Sequence, residues 1–368
     1  MNYVIWMMDE QFYKKQKGDI MGNTLIFKCN KTQDYIFEFK PMEEDYLLME
    51  PQTFHNERDG YAVLTLNPFY CQFMYEEKPY FYYRHSDPDG TRFVGIVEGG
   101  EHPFDYQKKG YTKELPCPAR GDAYVPYRKV NENPIQYRFE STDRQLEITY
   151  GIERSYVKEG DILSFTLEHF PYVAIDHANG WPNQSVIYQE GVVHGTFLGK
   201  PFKGAGGFGK SYTIKAAAAG GFQFTYGNFN TELAGVRKDG RREEAVIDIC
   251  FDGGVFAYYW LEGEEAVTSD EVEVQTEFYH LPYMHDGTCM YKDIVFRFGG
   301  KEIHFEGKWG IKGFTAEPRL DKSGQAEMLG VWYEGNAPYE HDVSYGLCEV
   351  QGAFDEELRK MGFTVAEI

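Results

Sequence analysis

The stretch Ile135–Tyr150, IQYRFESTDRQLEITY, decides the fold class. Ile135, Tyr137 and Phe139 alternate with polar neighbours, the two-residue period of a half-buried strand. A polar turn follows, and the alternation resumes at Leu146 and Ile148, which reads as an antiparallel hairpin.

The same pattern runs outward from that hairpin. The segment 161–170, DILSFTLEHF, alternates again, and later strands are read over 221–226, 245–251, 255–261, 272–279, 294–298 and 303–305. Turn formers separate them: Asp87-Pro88-Asp89-Gly90, Lys238-Asp239-Gly240, Asp252-Gly253-Gly254 and Gly299-Gly300. This spacing predicts antiparallel meanders rather than βαβ units. Helix signals are sparse. The clearest is 354–362, with Phe354, Leu358 and Met361 on one face, acids in the first turn, bases in the last and Gly362 as the stop. The tract 215–219, KAAAA, is too short to stand alone as a helix.

Composition agrees with an all-β reading. Aromatic residues make up 17% of the chain, dominated by 29 Tyr and 28 Phe, which suit pleated, half-buried surfaces. The 368 residues suffice for two domains. The turn-rich stretch 171–183, PYVAIDHANGWPN, predicts the division between them, at 1–175 and 184–368. Each side then has enough strand for one barrel or sandwich.

The formal charge of -21 predicts a surface that repels nucleic acid and anionic membranes, so neither is expected as a partner. The six cysteines are widely spaced and form no CxxC pair. The opening MNYVIWMMDE has an apolar stretch of only six residues between Asn2 and Asp9, unlike a secretion signal, and no later segment reaches the roughly 20 needed to span a bilayer. A cytoplasmic location with reduced thiols is expected.

The segment 190–212, EGVVHGTFLGKPFKGAGGFGKSY, clusters Gly204, Gly206, Gly207 and Gly209 beside Lys203 and Lys210. A phosphate loop needs such glycines between a strand and a helix. Here Tyr212-Thr213-Ile214 continues as strand, so a glycine-relieved barrel corner is the favoured reading. The strand, the turn Gly199-Lys200-Pro201 and the glycine-punctuated strand together resemble the start of the second barrel in two-domain lipocalin-like proteins. That group contains the carotenoid hydratases and the lipocalin-like Diels–Alder cyclases. The segment 331–354, VWYEGNAPYEHDVSYGLCEVQGAF, is similar to that group's closing strands and final helix. The resemblance implies two tandem lipocalin-like antiparallel barrels with a short C-terminal helix, around an apolar cavity for isoprenoid- or polyketide-like molecules.

Several polar groups are candidates for chemistry. His280, His285, Asp286 and His304 have ligand-type side chains, but their spacing matches no tight metal signature, and ordinary hydrogen bonding at strand ends explains them better. Tyr339-Glu340-His341-Asp342 offers carboxylates to orient the imidazole as acid or base, although neighbouring residues on a strand point to opposite faces. Asp176-His177-Ala178-Asn179-Gly180-Trp181 reads equally as a ligand-lined barrel mouth or as an interdomain linker. No nucleophile elbow, zinc-protease helix or dinucleotide motif is present.

Three functions follow. The first is a cofactor-independent hydratase, isomerase or cyclase acting on a small lipophilic ligand, with His194, His341, Glu340 and Asp176 as candidate catalytic residues. Trp181, Trp332 and Tyr339 would line the ligand. No cofactor and no metal is expected. The second is a carrier with the same cavity. The third is a carbohydrate-binding or hydrolysing β-sandwich, in which exposed Trp or Tyr platforms stack on sugars.

Overall fold

The computed structural model describes residues 22–29, 36–41, 62–86, 92–100, 103–104, 110–111, 128–132, 135–140, 146–177, 184–214, 228–251, 253–281, 287–311, 325–335 and 340–368. Its strands are β1 (Asn23–Lys28), β2 (Ile36–Pro41), β3 (Ala62–Tyr75), β4 (Lys78–Ser86), β5 (Arg92–Glu98), β6 (Gly110–Tyr111), β7 (Arg128–Glu132) and β8 (Ile135–Glu140). They continue as β9 (Leu146–Gly151), β10 (Arg154–Glu159), β11 (Leu163–His169), β12 (Tyr172–His177), β13 (Gln184–Phe197), β14 (Lys200–Ile214), β15 (Asn228–Arg237) and β16 (Arg242–Cys250). The remainder are β17 (Val255–Leu261), β18 (Val267–Ser269), β19 (Glu271–His280), β20 (Cys289–Phe298), β21 (Lys301–Ile311), β22 (Gln325–Glu334), β23 (His341–Gln351), helix α1 (Asp355–Met361) and β24 (Val365–Glu367). Among the described residues the fold is all-β with one short helix. That helix begins after Phe354 and ends on Gly362 in the left-handed conformation, as its sequence predicts.

The strands form two curled sheets. One has 13 strands, with β6-β5-β4-β3-β14-β13-β11-β10-β9-β8-β7 as its main path. The hairpin read from Ile135–Tyr150 is β8–β9, with Phe139 opposite Ile148. Tyr82 on β4 reaches across the curled interior: its ring meets Phe165 edge-on at 5.5 Å and its hydroxyl donates to Glu159 at 2.5 Å.

The other sheet has 11 strands, ten in the order β1-β19-β20-β21-β22-β23-β15-β16-β17-β18 and β24 beside β19. Asp270 alone separates β18 from β19, so this strand path curls back toward its own start as a half-barrel. The inward residues fill it: Ile247, Tyr259, Phe296, Phe305 and Trp332 all belong to one buried cluster. Strand β19 is a clasp, pairing antiparallel with β1 and parallel with β24.

The chain changes sheet later than the turn-rich stretch at 171–183 suggests. Strand β13 pairs with β11 and β12, and β14 pairs with β3, so residues 184–214 lie in the first sheet. Conversely, β1 lies in the second. Two long strands joined by a two-residue turn satisfy more backbone groups by staying beside β3 and β11 than by starting a new sheet. The glycine cluster sits in mid-strand within β14 rather than in a loop between a strand and a helix, the place a phosphate loop occupies.

The two sheets pack face to face. Tyr70 and Phe81 of the first cluster with Leu329 and Leu347 of the second. Phe170 and Ala205 likewise cluster with Ala234, Trp260 and Val343. Strand alternation makes this possible: Leu233 points into the second barrel, while Ala234 points out at the first sheet. No described helix is long and apolar enough to cross a membrane.

Candidate functional site

Between the sheets lies a group of buried acids. Tyr70, Gly207 and Glu190 are aligned across β3, β14 and β13. The Tyr70 hydroxyl donates to Glu190 Oε2, and the other carboxyl oxygen, Oε1, is buried without a hydrogen-bond partner. Glycine at 207 is a spatial requirement. A Cβ there would stand 2.7 Å from the Tyr70 hydroxyl and 2.8 Å from Glu190 Oε1. Added Cβ atoms at Gly204 and Gly206 would lie 2.0 and 2.2 Å from the carbonyl oxygens of Gln72 and Tyr70. The glycine-rich spelling of β14 thus reflects close backbone approach to β3 and room for the Tyr70–Glu190 pair. Gly207→Ala is expected to separate that pair and cost about 1–3 kcal/mol of stability, measurable by urea denaturation. An unchanged midpoint would show that the pair accommodates the methyl group freely.

The second sheet supplies Glu232 from β15 and Glu244 from β16. Glu232 is half-buried, lies close enough to the Tyr70 hydroxyl for the two to interact, and accepts from Asn230 Nδ2 at 2.9 Å. Tyr70 therefore bridges one carboxyl from each sheet. Burial pushes Glu190 well above the usual carboxylate range, and the nearby charges of Glu232 and Glu244 add to this against the Tyr70 hydrogen bond. Burial also raises Glu232, to about 7, against the hydrogen bonds from Tyr70 and Asn230. Glu244 is raised well above its usual range, again by burial, with the Arg242 charge and the Tyr258 hydroxyl opposing. Neutral carboxylic acids persist here at a pH where surface glutamates are ionised.

A second polar group closes one mouth of the second barrel. Glu243 at the start of β16 accepts from Arg237 Nε at 2.9 Å and from the Tyr259 hydroxyl at 2.9 Å. His341 Nε2 is bonded to the other Glu243 oxygen, and Trp332 lies beneath, 5.7 Å from the imidazole. The indole donates to Ala234 O at 3.0 Å. Burial would raise Glu243, but the hydrogen bonds and charges of His341 and Arg237 hold it below the usual range.

Of the residues proposed from sequence, this mouth unites His341, Trp332 and Glu340. Glu340 is exposed, with its carboxylate 3.8 Å from Arg237. His341 pairs with neither sequence neighbour: its partner is Glu243, while Asp342 reaches Lys203 at 3.2 Å. The histidine is 6% exposed and its partner glutamate is fully enclosed, so the pair forms a plug rather than an open acid–base site. His194 stands apart, exposed on β13 between Thr166 and Lys203. Asp176 lies on β12, in register with Val186 and Phe37, and Trp181 and Tyr339 lie outside the described residues.

Among the described residues, no group of three or more His, Cys, Asp or Glu side chains is placed to hold a metal ion. His280 faces Glu367 at 3.7 Å, whereas His304 bonds Glu302 at 2.7 Å and stacks on Tyr333. His285 and Asp286 lie outside the described residues.

No protein-family model matches the chain, and no curated protein does. Among solved structures it is similar to a Nitrosomonas europaea protein named for likeness to AttH, with 12% identity and a TM-score of 0.42 over 86% of this chain and 99% of that one. It is also similar to kievitone hydratase from Nectria haematococca, with 10% identity and a TM-score of 0.34 over 89% and 96% of the two chains. CghA gives 12% identity and a TM-score of 0.38 over 90% and 99%. At these scores the likeness is one of layout and carries no argument about chemistry.

Proposed function

We propose that the space between the two sheets is the active site of a cofactor-independent hydratase, isomerase or cyclase. Its substrate is a small lipophilic molecule of isoprenoid or polyketide type. The observation that carries this reading is the Glu190–Tyr70–Glu232 bridge, which keeps carboxylic acids protonated beside aromatic and aliphatic walls. A neutral acid in such a place is a proton donor matched to neutral pH. Half-buried Glu232 connects the relay to solvent, and Glu190 Oε1 is its unpaired inner end.

For hydration, a carboxylic acid gives its proton to one alkene carbon. Water adds to the resulting cation and returns a proton to the carboxylate, restoring the starting acid. Isomerisation uses the same first step followed by loss of a different proton. This reading moves the proton-handling role away from His341 and Glu340, whose side chains serve the barrel mouth. It also disfavours the carbohydrate alternative, because Trp260 and Trp332 are buried and Trp309 packs between the sheets. None of these three offers an open sugar platform.

The test begins with native mass spectrometry of freshly purified protein, followed by identification of anything released on denaturation. The recovered lipophile is then incubated with protein in D2O. Deuterium incorporation or product formation, reduced at least about a hundredfold in Glu190→Gln, is the expected result. Binding without exchange or turnover would establish a carrier and overturn the catalytic reading.

A further inference from the structure

Glu244 has surroundings unlike those of the other acids. It stands opposite Trp260 in the β16–β17 register, with Tyr258 one step away on the same face. Phe170 and Tyr172 pack on the Trp260 ring at 5.6 and 5.4 Å. Phe39 stacks on Tyr258 at 4.0 Å and on Tyr172 at 4.9 Å. Five aromatic rings from β2, the β11–β12 connection and β17 therefore form a continuous wall, with Glu244 beside its Trp260–Tyr258 end. That carboxyl is 1% exposed; the Tyr258 hydroxyl lies close enough to act on it, but neither oxygen has a partner in full hydrogen-bonding geometry. The nearest base, Arg242, is held away by two hydrogen bonds to Glu262, at 2.8 and 3.1 Å.

We propose that Glu244 and the aromatic wall of Trp260, Tyr258, Tyr172, Phe170 and Phe39 form a binding site for the ammonium head of a lipophilic amine. Aromatic faces carry negative potential and a carboxylate supplies the counter-charge, the combination that recognises substituted ammonium groups. An unpaired buried carboxyl is costly unless a ligand or a proton completes it. This site adjoins the Glu190–Tyr70–Glu232 bridge and names the charged end of the ligand there. It rests on the reading that the inter-sheet space admits a ligand, not on the relay's chemistry.

A cation must compete with the proton on Glu244, so binding releases a proton and tightens as pH rises. The groups facing Glu244 set that competition. They are Glu190 from β13, Arg242 on its own strand and Tyr258 from β17. Glu168 on β11 lies close enough to act on Arg242.

The experiment is calorimetric titration of the full-length protein with benzyltrimethylammonium and with its neutral isostere neopentylbenzene, at pH 6 and pH 8 in buffers of different ionisation enthalpy. The proposal expects the cation to bind at least about tenfold tighter than the isostere at pH 8, with proton release. Glu244→Gln should erase that preference while leaving neopentylbenzene binding unchanged. Equal affinity for both probes, or a preference that survives Glu244→Gln, would overturn the cationic site while leaving an apolar active site intact. If neither probe binds at either pH, the inter-sheet space admits no ligand of this size, and both readings fall. The wild-type pH dependence needs no variant to fold, so the proposal stays testable if Glu244→Gln does not.

Discussion

Replacing Glu243 with alanine is expected to destabilise the protein by about 3–5 kcal/mol, the cost of stranding one side of a buried ionic network. Glu243 is the shared acceptor for Arg237, Tyr259 and His341, which come from three other strands of the barrel. Without it Arg237 keeps a hydrogen bond to the Tyr259 hydroxyl at 3.0 Å, but its remaining carboxylates are Glu334 at 3.7 Å and the exposed Glu340 at 3.8 Å. Urea denaturation with an unchanged slope checks the figure. A loss below about 1 kcal/mol would mean that apolar packing around Trp332 holds the mouth by itself. The pH sign follows from the depressed carboxyl. Glu243 contributes its stabilisation above the ordinary carboxylate range, and the contribution is lost as pH falls through the lowered value.

The acids between the sheets predict the opposite slope. Their folded-state values lie above their unfolded ones, so they are best tolerated below about pH 4.3 and increasingly costly as pH rises. For Glu232, raised to about 7, the change between pH 4 and pH 8 is worth about 2–3 kcal/mol, after allowance for its half-exposed position. Glu190 and Glu244 extend the decline to higher pH. Unfolding free energies measured from pH 5 to pH 9 should fall steadily, and Glu232→Gln should flatten the lower part of that fall. General repulsion from a net charge of -21 acts in the same direction but changes little with one glutamine substitution. A slope equally steep in Glu232→Gln would assign the effect to surface charge instead.

The all-β class was legible because alternation is local. The hairpin at Ile135–Tyr150 and the strand at Val255–Leu261 carry their own pattern, and α1 carries its stop at Gly362. The approach of Trp332 to His341 was also within reach, since both lie near one strand junction. Glu190, Glu232 and Glu244 were not. They are three of 58 acids, drawn from three strands and two sheets, and only pairing across β3, β14 and β13 brings Tyr70 to Glu190. One signal did exist in the spelling of β14. Consecutive glycines within a strand mean that something approaches closely from each face, and Gly207 marks the Tyr70–Glu190 contact. The point of sheet exchange was hidden for a similar reason. Turn formers at 171–183 mark a bend, and a bend does not say which sheet the next strand will join.

The clasp at β19 has a consequence for how the chain is made. Strand β1 must wait for a partner, since Lys28 meets Glu271 across 243 positions. Its Leu25 and Phe27, which pack on the second barrel's core, leave the ribosome long before that core exists. The last piece arrives later still: Phe363 stacks on Phe27 at 5.9 Å, and β24 settles beside Phe278. The first sheet can condense during translation, but the second barrel closes only when both of its outlying strands have emerged. Until then the nascent chain carries an unpaired strand that a chaperone would have to shield.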